Sequence, residues 1–117
     1  PFDQLTETRK GESSYEIRKR VAMSRSIQSI RFADYANIHY NAQMGTKQIR
    51  EFCVLDDASL QLLKTAMERL NLSARAFDRI LKVSRTIADL AGSLEIKTEH
   101  LAEAIQYRSL DRESWGS

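Results

Sequence analysis

The chain has 117 residues, 42% hydrophobic and 29% charged, with 18 Lys and Arg against 16 Asp and Glu. That length suits one domain with a core of its own, and the composition excludes disorder. A net charge of +2 is too small to announce a nucleic-acid or membrane partner.

The single cysteine, Cys53, excludes an internal disulfide framework and makes a cytoplasmic setting the default. There is no apolar run of the roughly 18 residues needed to cross a bilayer, so no membrane partner is expected, and no secretory leader is visible. The first residue is Pro1 rather than Met, which suggests a piece of a longer chain. Four Gly and one Pro leave no Gly-rich phosphate loop and disfavour a turn-rich β-sandwich. The expected class is all-α.

Residues 1–12 show no periodicity and read as an extended lead-in. Ser13 and Glu16 form a Ser-x-x-Glu capping box, predicting a helix to about Phe32. Ile17, Val21, Ala22, Ile27 and Ile30 are its candidate buried positions, and Arg18, Lys19, Arg20, Arg25 and Arg31 its basic outer surface. Ala33 to Gly45 reads as a long connection carrying Tyr35, His39 and Tyr40. Thr46 is placed as the cap of a short helix to about Cys53. Asp56 or Asp57 begins another to about Leu70, with Leu60, Leu63, Ala66, Met67 and Leu70 inward.

Ser73 is the expected N-cap of the clearest helix, Ala74 to Ala91. At about 100° per residue, Ala76, Phe77, Ile80, Leu81, Val83, Ser84, Ile87, Ala88, Leu90 and Ala91 fill one broad side. Arg75, Asp78, Arg79, Lys82, Arg85, Thr86 and Asp89 fill the other. Gly92 stands where a helix end favours positive φ. Thr98 is the expected cap of a last helix to Tyr107, burying Leu101, Ala104 and Ile105. Residues 109–117 form a polar tail with Trp115 as its one anchor candidate. The predicted architecture is a small bundle of four to five helices centred on Ala74 to Ala91.

Chemistry is sparse. His39, Cys53 and His100 lack the close pairing of structural zinc ligands, so no metal site is expected. Cys53 reads as a small buried hydrophobe, and His100, beside Glu99, as a surface residue. There is no Gly-x-Ser-x-Gly elbow and no P-loop, so the chain by itself is not expected to be an enzyme. One position is odd. Arg75 lies in the first turn of a helix, where the dipole and free N–H groups are already positive. An anion brought there would reverse that penalty and gain a guanidinium partner. The plain alternative is one exposed arginine. The basic faces of the two long helices could likewise follow a phosphate backbone, with Tyr35 and Tyr40 stacking on bases; the alternatives are a solvated face and core packing.

The run Leu72-Ser73-Ala74-Arg75-Ala76-Phe77-Asp78-Arg79-Ile80-Leu81-Lys82-Val83 and on to Ala91 resembles the C-terminal helical domain of magnesium-chelatase-like AAA+ ATPases of the ComM/YifB type. Ile96 to Arg108 resembles that family's last helix, and Pro1 to Leu5 the segment leaving its ATPase core. The resemblance implies an AAA+ lid over residues 13–108, with 1–12 leaving the core and 109–117 a flexible tail. It implies that Arg75 is the sensor-2 arginine, reaching ATP with Mg2+ held by a separate core of the same protein. It implies an ATPase parent and neighbouring subunits in a hexameric ring. The fragment alone would bind no nucleotide tightly. Relatives of the ComM type act on branched DNA in natural transformation, while chelatase subunits drive metal insertion into porphyrin. The competing class is a stand-alone helical module binding nucleic acid through its basic faces.

Overall fold

A computed structural model of the chain describes residues 12–110, with no side-chain description at 108–110. All regular structure among the described residues is helical, without a strand. The helices are α1 (Ser14–Arg31), α2 (Thr46–Phe52), α3 (Asp57–Leu70), α4 (Ala74–Leu90) and α5 (Thr98–Leu110), with a 3₁₀ turn at Asn41–Gln43 between α1 and α2. The lead-in expected over 1–12 lies outside the described residues except for Glu12. So does the tail expected at 109–117 beyond Leu110, and α5 runs three residues past its expected end at Tyr107.

Local chemistry sets most boundaries. Ser13 Oγ accepts from the Glu16 N–H at 3.1 Å, Asp56 Oδ1 from Ser59 N–H at 2.8 Å and Ser73 Oγ from Ala76 N–H at 3.2 Å, each satisfying a donor the helix start orphans. The bonds from Ser59 hold the exposed Asp56 carboxyl below its ordinary pKa. Two expected caps are displaced. Thr46 and Thr98 are the first residues inside their helices. At α2 the Gln48 carbonyl reaches back to the Gly45 N–H (2.9 Å), and at α5 the His100 Nδ1 accepts from the Lys97 N–H (2.9 Å). Side chains at the third helical position thus satisfy the backbone N–H of the cap residue, the half of a capping box that needs no hydroxyl at the cap. His100 is consequently buried, against its expected surface place.

Helix α4 ends as its sequence suggests. Gly92 has φ 70°, and the Ser93 N–H reaches the Ala88 carbonyl at 2.8 Å while Gly92 N–H reaches Asp89 at 3.0 Å. This is a Schellman closure. Asn71, at φ 52°, closes α3 in the same way, with Leu72 N–H on the Met67 carbonyl at 3.0 Å.

Packing radiates from α4, which touches α1, α2, the 3₁₀ turn and α5; α3 packs on α5. Ile80, Leu63 and Leu101 are fully buried, with Ala76, Ala88 and Ala104 as small residues that let the helices approach. Ser59 and Thr98 share a 2.9 Å hydroxyl hydrogen bond between the starts of α3 and α5. Phe32, Tyr35 and Phe52 form a cluster of edge-to-face rings that anchors the α1–α2 connection.

Helix α1 departs from expectation. Ile17, Val21, Ala22 and Ile30 are exposed, Ile30 at 78%, and Ile27 only half-buried. The residues that face the body are Ser24 and Gln28, with Arg31 turned inward from its expected basic surface. Leu70 likewise sits at the exposed end of α3. On α4 the expected polar side is divided: Arg85 and Asp89 are buried. One polar network holds Ser24, Gln28, Arg31, Arg85 and Asp89 inward.

Candidate functional site

Arg75 sits in the first turn of α4, and its side chain is exposed. The hydrogen bond from Ala76 N–H to Ser73 fixes this turn. It leaves the first helical N–H groups pointing out of the end, as at any helix start. No acidic residue lies in the turn. Among the described residues Arg75 has no ion pair or side-chain hydrogen bond. A cation at the positive end of a helix with no carboxylate beside it is a position that an incoming anion would relieve.

The other expected basic positions have separate fates. Lys82 Nζ donates to the Ala42 carbonyl at 3.2 Å, and Arg20 pairs with Glu12. Arg18, Lys19 and Arg25 stay on the outer surface of α1. Tyr35 is drawn into the ring cluster and hydrogen-bonds Glu51 at 2.7 Å, which raises the phenol's pKa; Tyr40 remains exposed. Among the described residues no three His, Cys, Asp or Glu side chains gather into a metal-binding group. Cys53 is buried, and burial pushes its thiol up to about 11, the inert state of a packed cysteine.

The residues that sequence reasoning missed lie between α1 and α4. Arg31 grips Asp89 with two hydrogen bonds of 2.7 and 2.8 Å. Asn41 accepts from Arg31 at 2.9 Å and donates to Asp89 at 2.8 Å and to Thr86 at 3.0 Å. Gln28 holds the Asn41 N–H at 2.8 Å and donates to Ser24 at 3.0 Å. Arg85 meets Asp89 from within α4 at 3.1 Å and donates to the Ser93 and Leu94 carbonyls at 2.9 and 3.1 Å. Burial lowers the Arg85 pKa, and the Asp89 charge opposes that. Two guanidiniums thus share one fully buried carboxylate. The excess charge is met by backbone carbonyls at the closed end of α4.

A cleft of about 970 Å³ opens beside α4 over Val83, Ile87 and Leu90, rimmed by Arg79 and Lys82 and by Glu99 and Glu103 of α5. Arg75 does not line it. The cleft and the candidate anion position are therefore separate features.

This sequence, folded this way, matches the family profile described as magnesium chelatase, subunit ChlI C-terminal, over residues 11–108. The chain belongs to that family. It is 44% identical over 103 residues to the competence protein ComM of Haemophilus influenzae, covering 88% of this chain and 19% of the relative. It is 40% identical over 102 residues to the protein YifB of Escherichia coli, covering 87% and 19%. A Mycobacterium bovis protein, Mb2921c, is 33% identical over 98 residues, covering 84% and 19%. No solved structure gives a significant match. The chain spans about a fifth of the length of these curated relatives. It is a magnesium-chelatase-type C-terminal domain of the ComM/YifB kind, and among its described residues no helix is long and apolar enough to cross a membrane.

Proposed function

We propose that this domain is the lid of an AAA+ ATPase, with Arg75 delivering the sensor-2 guanidinium to ATP bound with Mg2+ in a core elsewhere in the same protein. The observation that carries the reading is Arg75 itself: exposed, in the first turn of α4, with no acid in that turn. Hydrolysis chemistry belongs to the core. In this domain Arg75 neutralises charge on the terminal phosphate, and the rigid α1–α4 body makes its reach depend on where the whole lid sits. Neighbouring subunits of a ring would read that position as motion. The competence name of one relative supports a parent protein acting in competence; action on branched DNA is what the family resemblance adds to this reading.

The test is Arg75→Ala in the intact parent. The domain should fold, because the side chain fills no core space. ATP turnover should fall at least about tenfold, the scale of a charge-assisted contact worth roughly 1.5–3 kcal/mol. Arg79→Ala, one turn further along α4, should be milder. Unchanged turnover in a folded, assembled Arg75→Ala protein sinks the assignment. The nucleic-acid alternative is weakened because Arg31, Arg20 and Lys82 have partners within the domain. Duplex binding by the isolated domain that falls steeply with salt would revive it.

A further inference from the structure

Two exposed surfaces of opposite charge remain unused by that reading. The first is the outer face of the N-terminal part of α1, where Tyr15 and Met23 are 62% and 45% exposed beside Arg18 and Lys19. The second is a cleft of about 480 Å³ at the other end of α1, between the α2–α3 and α4–α5 connections. Its apolar edge is Val54 and Leu94, 67% and 94% exposed, and its carboxylates are Glu51, Asp56 and Glu95. Arg31 and Arg85 also line this cleft, but their guanidiniums are engaged by Asp89, Asn41 and backbone carbonyls. The acids therefore set its outward charge.

Large apolar side chains exposed beside charges of one sign mark interaction surfaces. The two surfaces complement each other in sign and both carry apolar residues. They cannot meet within one molecule. Lys19 and Arg31 are 12 positions apart on helix α1, about 18 Å at 1.5 Å per residue.

We propose that this domain binds a second copy of itself head to tail, the basic, apolar N-terminal face of α1 of one copy seating on the acidic, apolar Val54–Leu94 cleft of the next. The contact is heterologous, so each added copy leaves one surface of each kind free. Complementary charge governs the encounter and register of such a contact. It needs no nucleotide and does not involve Arg75, so it stands or falls apart from the lid assignment.

Sedimentation velocity on the full chain tests it. The average mass should rise with protein concentration at low salt and fall back as salt is added. Reversing the basic surface (Arg18→Glu with Lys19→Glu) should leave a monomer, as should reversing the acidic one (Glu51→Lys with Glu95→Lys). Mixed together, these two variants should associate again in alternation, since the unchanged face of one fits the unchanged cleft of the other and the reversed face fits the reversed cleft. All four changes in one chain should restore association through exchanged charges. Circular dichroism checks that each variant keeps its helices, and the mixing and four-fold rescue separate a contact from simple misfolding. A wild-type chain that stays monomeric at low salt, or charge reversals that leave the association unchanged, overturns the proposal.

Discussion

Arg31 and Asp89 are 58 residues apart in the chain and meet through paired hydrogen bonds of 2.7 and 2.8 Å. This contact ties the last turn of α1 to the last turn of α4. Asp89 is completely buried, and Arg31 retains 11% side-chain exposure. A planar guanidinium and a carboxylate fit each other in two dimensions, so the pair fixes orientation as well as distance. Asn41 braces both partners from the 3₁₀ turn. The helix that carries Arg75 is thereby held to the helix nearest the chain's N-terminal side.

Asp89→Ala should be among the most damaging single changes in the domain. It removes the one carboxylate between Arg31 and Arg85, leaving two largely buried guanidiniums facing each other. Removing one partner of a buried pair costs about 3–5 kcal/mol. Urea denaturation followed by helical signal measures it. Arg31→Met should cost less, because Asp89 keeps Arg85 and Asn41. A loss below about 1 kcal/mol for Asp89→Ala would show that the network contributes little to folding.

The pH dependence of stability should carry a contribution from Cys53. Burial raises its thiol from 9.0 to about 11. An acid whose pKa is higher in the folded state keeps its proton longer there. The folded form then binds more protons between the two values, and stability declines as pH rises from about 9 towards 11. Below pH 9 the contribution is fully present. Cys53→Ala should flatten that part of the curve relative to wild type, and the native thiol should react with a thiol reagent only on unfolding. A native thiol that reacts at the rate of a free cysteine at pH 8 refutes this.

What the sequence showed and hid follows from range. Ser13, Asp56, Ser73 and Gly92 act within a few residues of themselves, so their roles were legible. The α4 core arc was legible because its Ala, Ile and Leu positions repeat at helical spacing. Helix α1 departs from its pattern because its apolar periodicity does not mark its buried face. Its inward residues Ser24, Gln28 and Arg31 also repeat at helical spacing, and Arg85 and Asp89 stand one turn apart on α4. Those two polar stripes were the available signal. Their pairing depends on Asn41 and on contacts 45 to 58 residues distant, which no local pattern reveals. Arg75 differs again, because its anomaly is electrostatic and local, and it could be seen from Ser73 and the helix start alone.

The two left-handed helix ends should respond differently to substitution. Gly92→Ala places a Cβ that meets nothing within 4 Å, so any loss comes from the backbone at φ 70°. That cost is about 1–2 kcal/mol. Gly92→Asn should be milder, since asparagine tolerates this conformation, as Asn71 does at φ 52°. Asn71→Gly should be neutral or slightly stabilising. Thermal denaturation of the three variants gives the ranking, and a Gly92→Ala protein as stable as wild type would contradict it.

Arg75 offers a last prediction in which stability and function move in opposite directions. In the isolated domain, its positive charge opposes the α4 dipole and no acid in the first turn offsets it. Arg75→Glu places a favourable charge at the same end. It should stabilise the domain by about 0.3–1 kcal/mol at low salt, with the gain fading as salt is added. A surface arginine with no task should show that gain and nothing else. If Arg75 receives a phosphate, the same change in the intact parent puts a carboxylate against an anion, and ATP turnover should fall further than in Arg75→Ala. Ser73→Ala is the structural comparison. It should cost about 1 kcal/mol of stability by removing the cap, yet leave the guanidinium in place and reduce turnover less than Arg75→Ala. A more stable domain in a less active parent is the result that distinguishes a phosphate-binding arginine from one that merely occupies the helix start. A parent with Arg75→Glu that turns over ATP normally would leave α4 with a mildly unfavourable arginine and no nucleotide role for it.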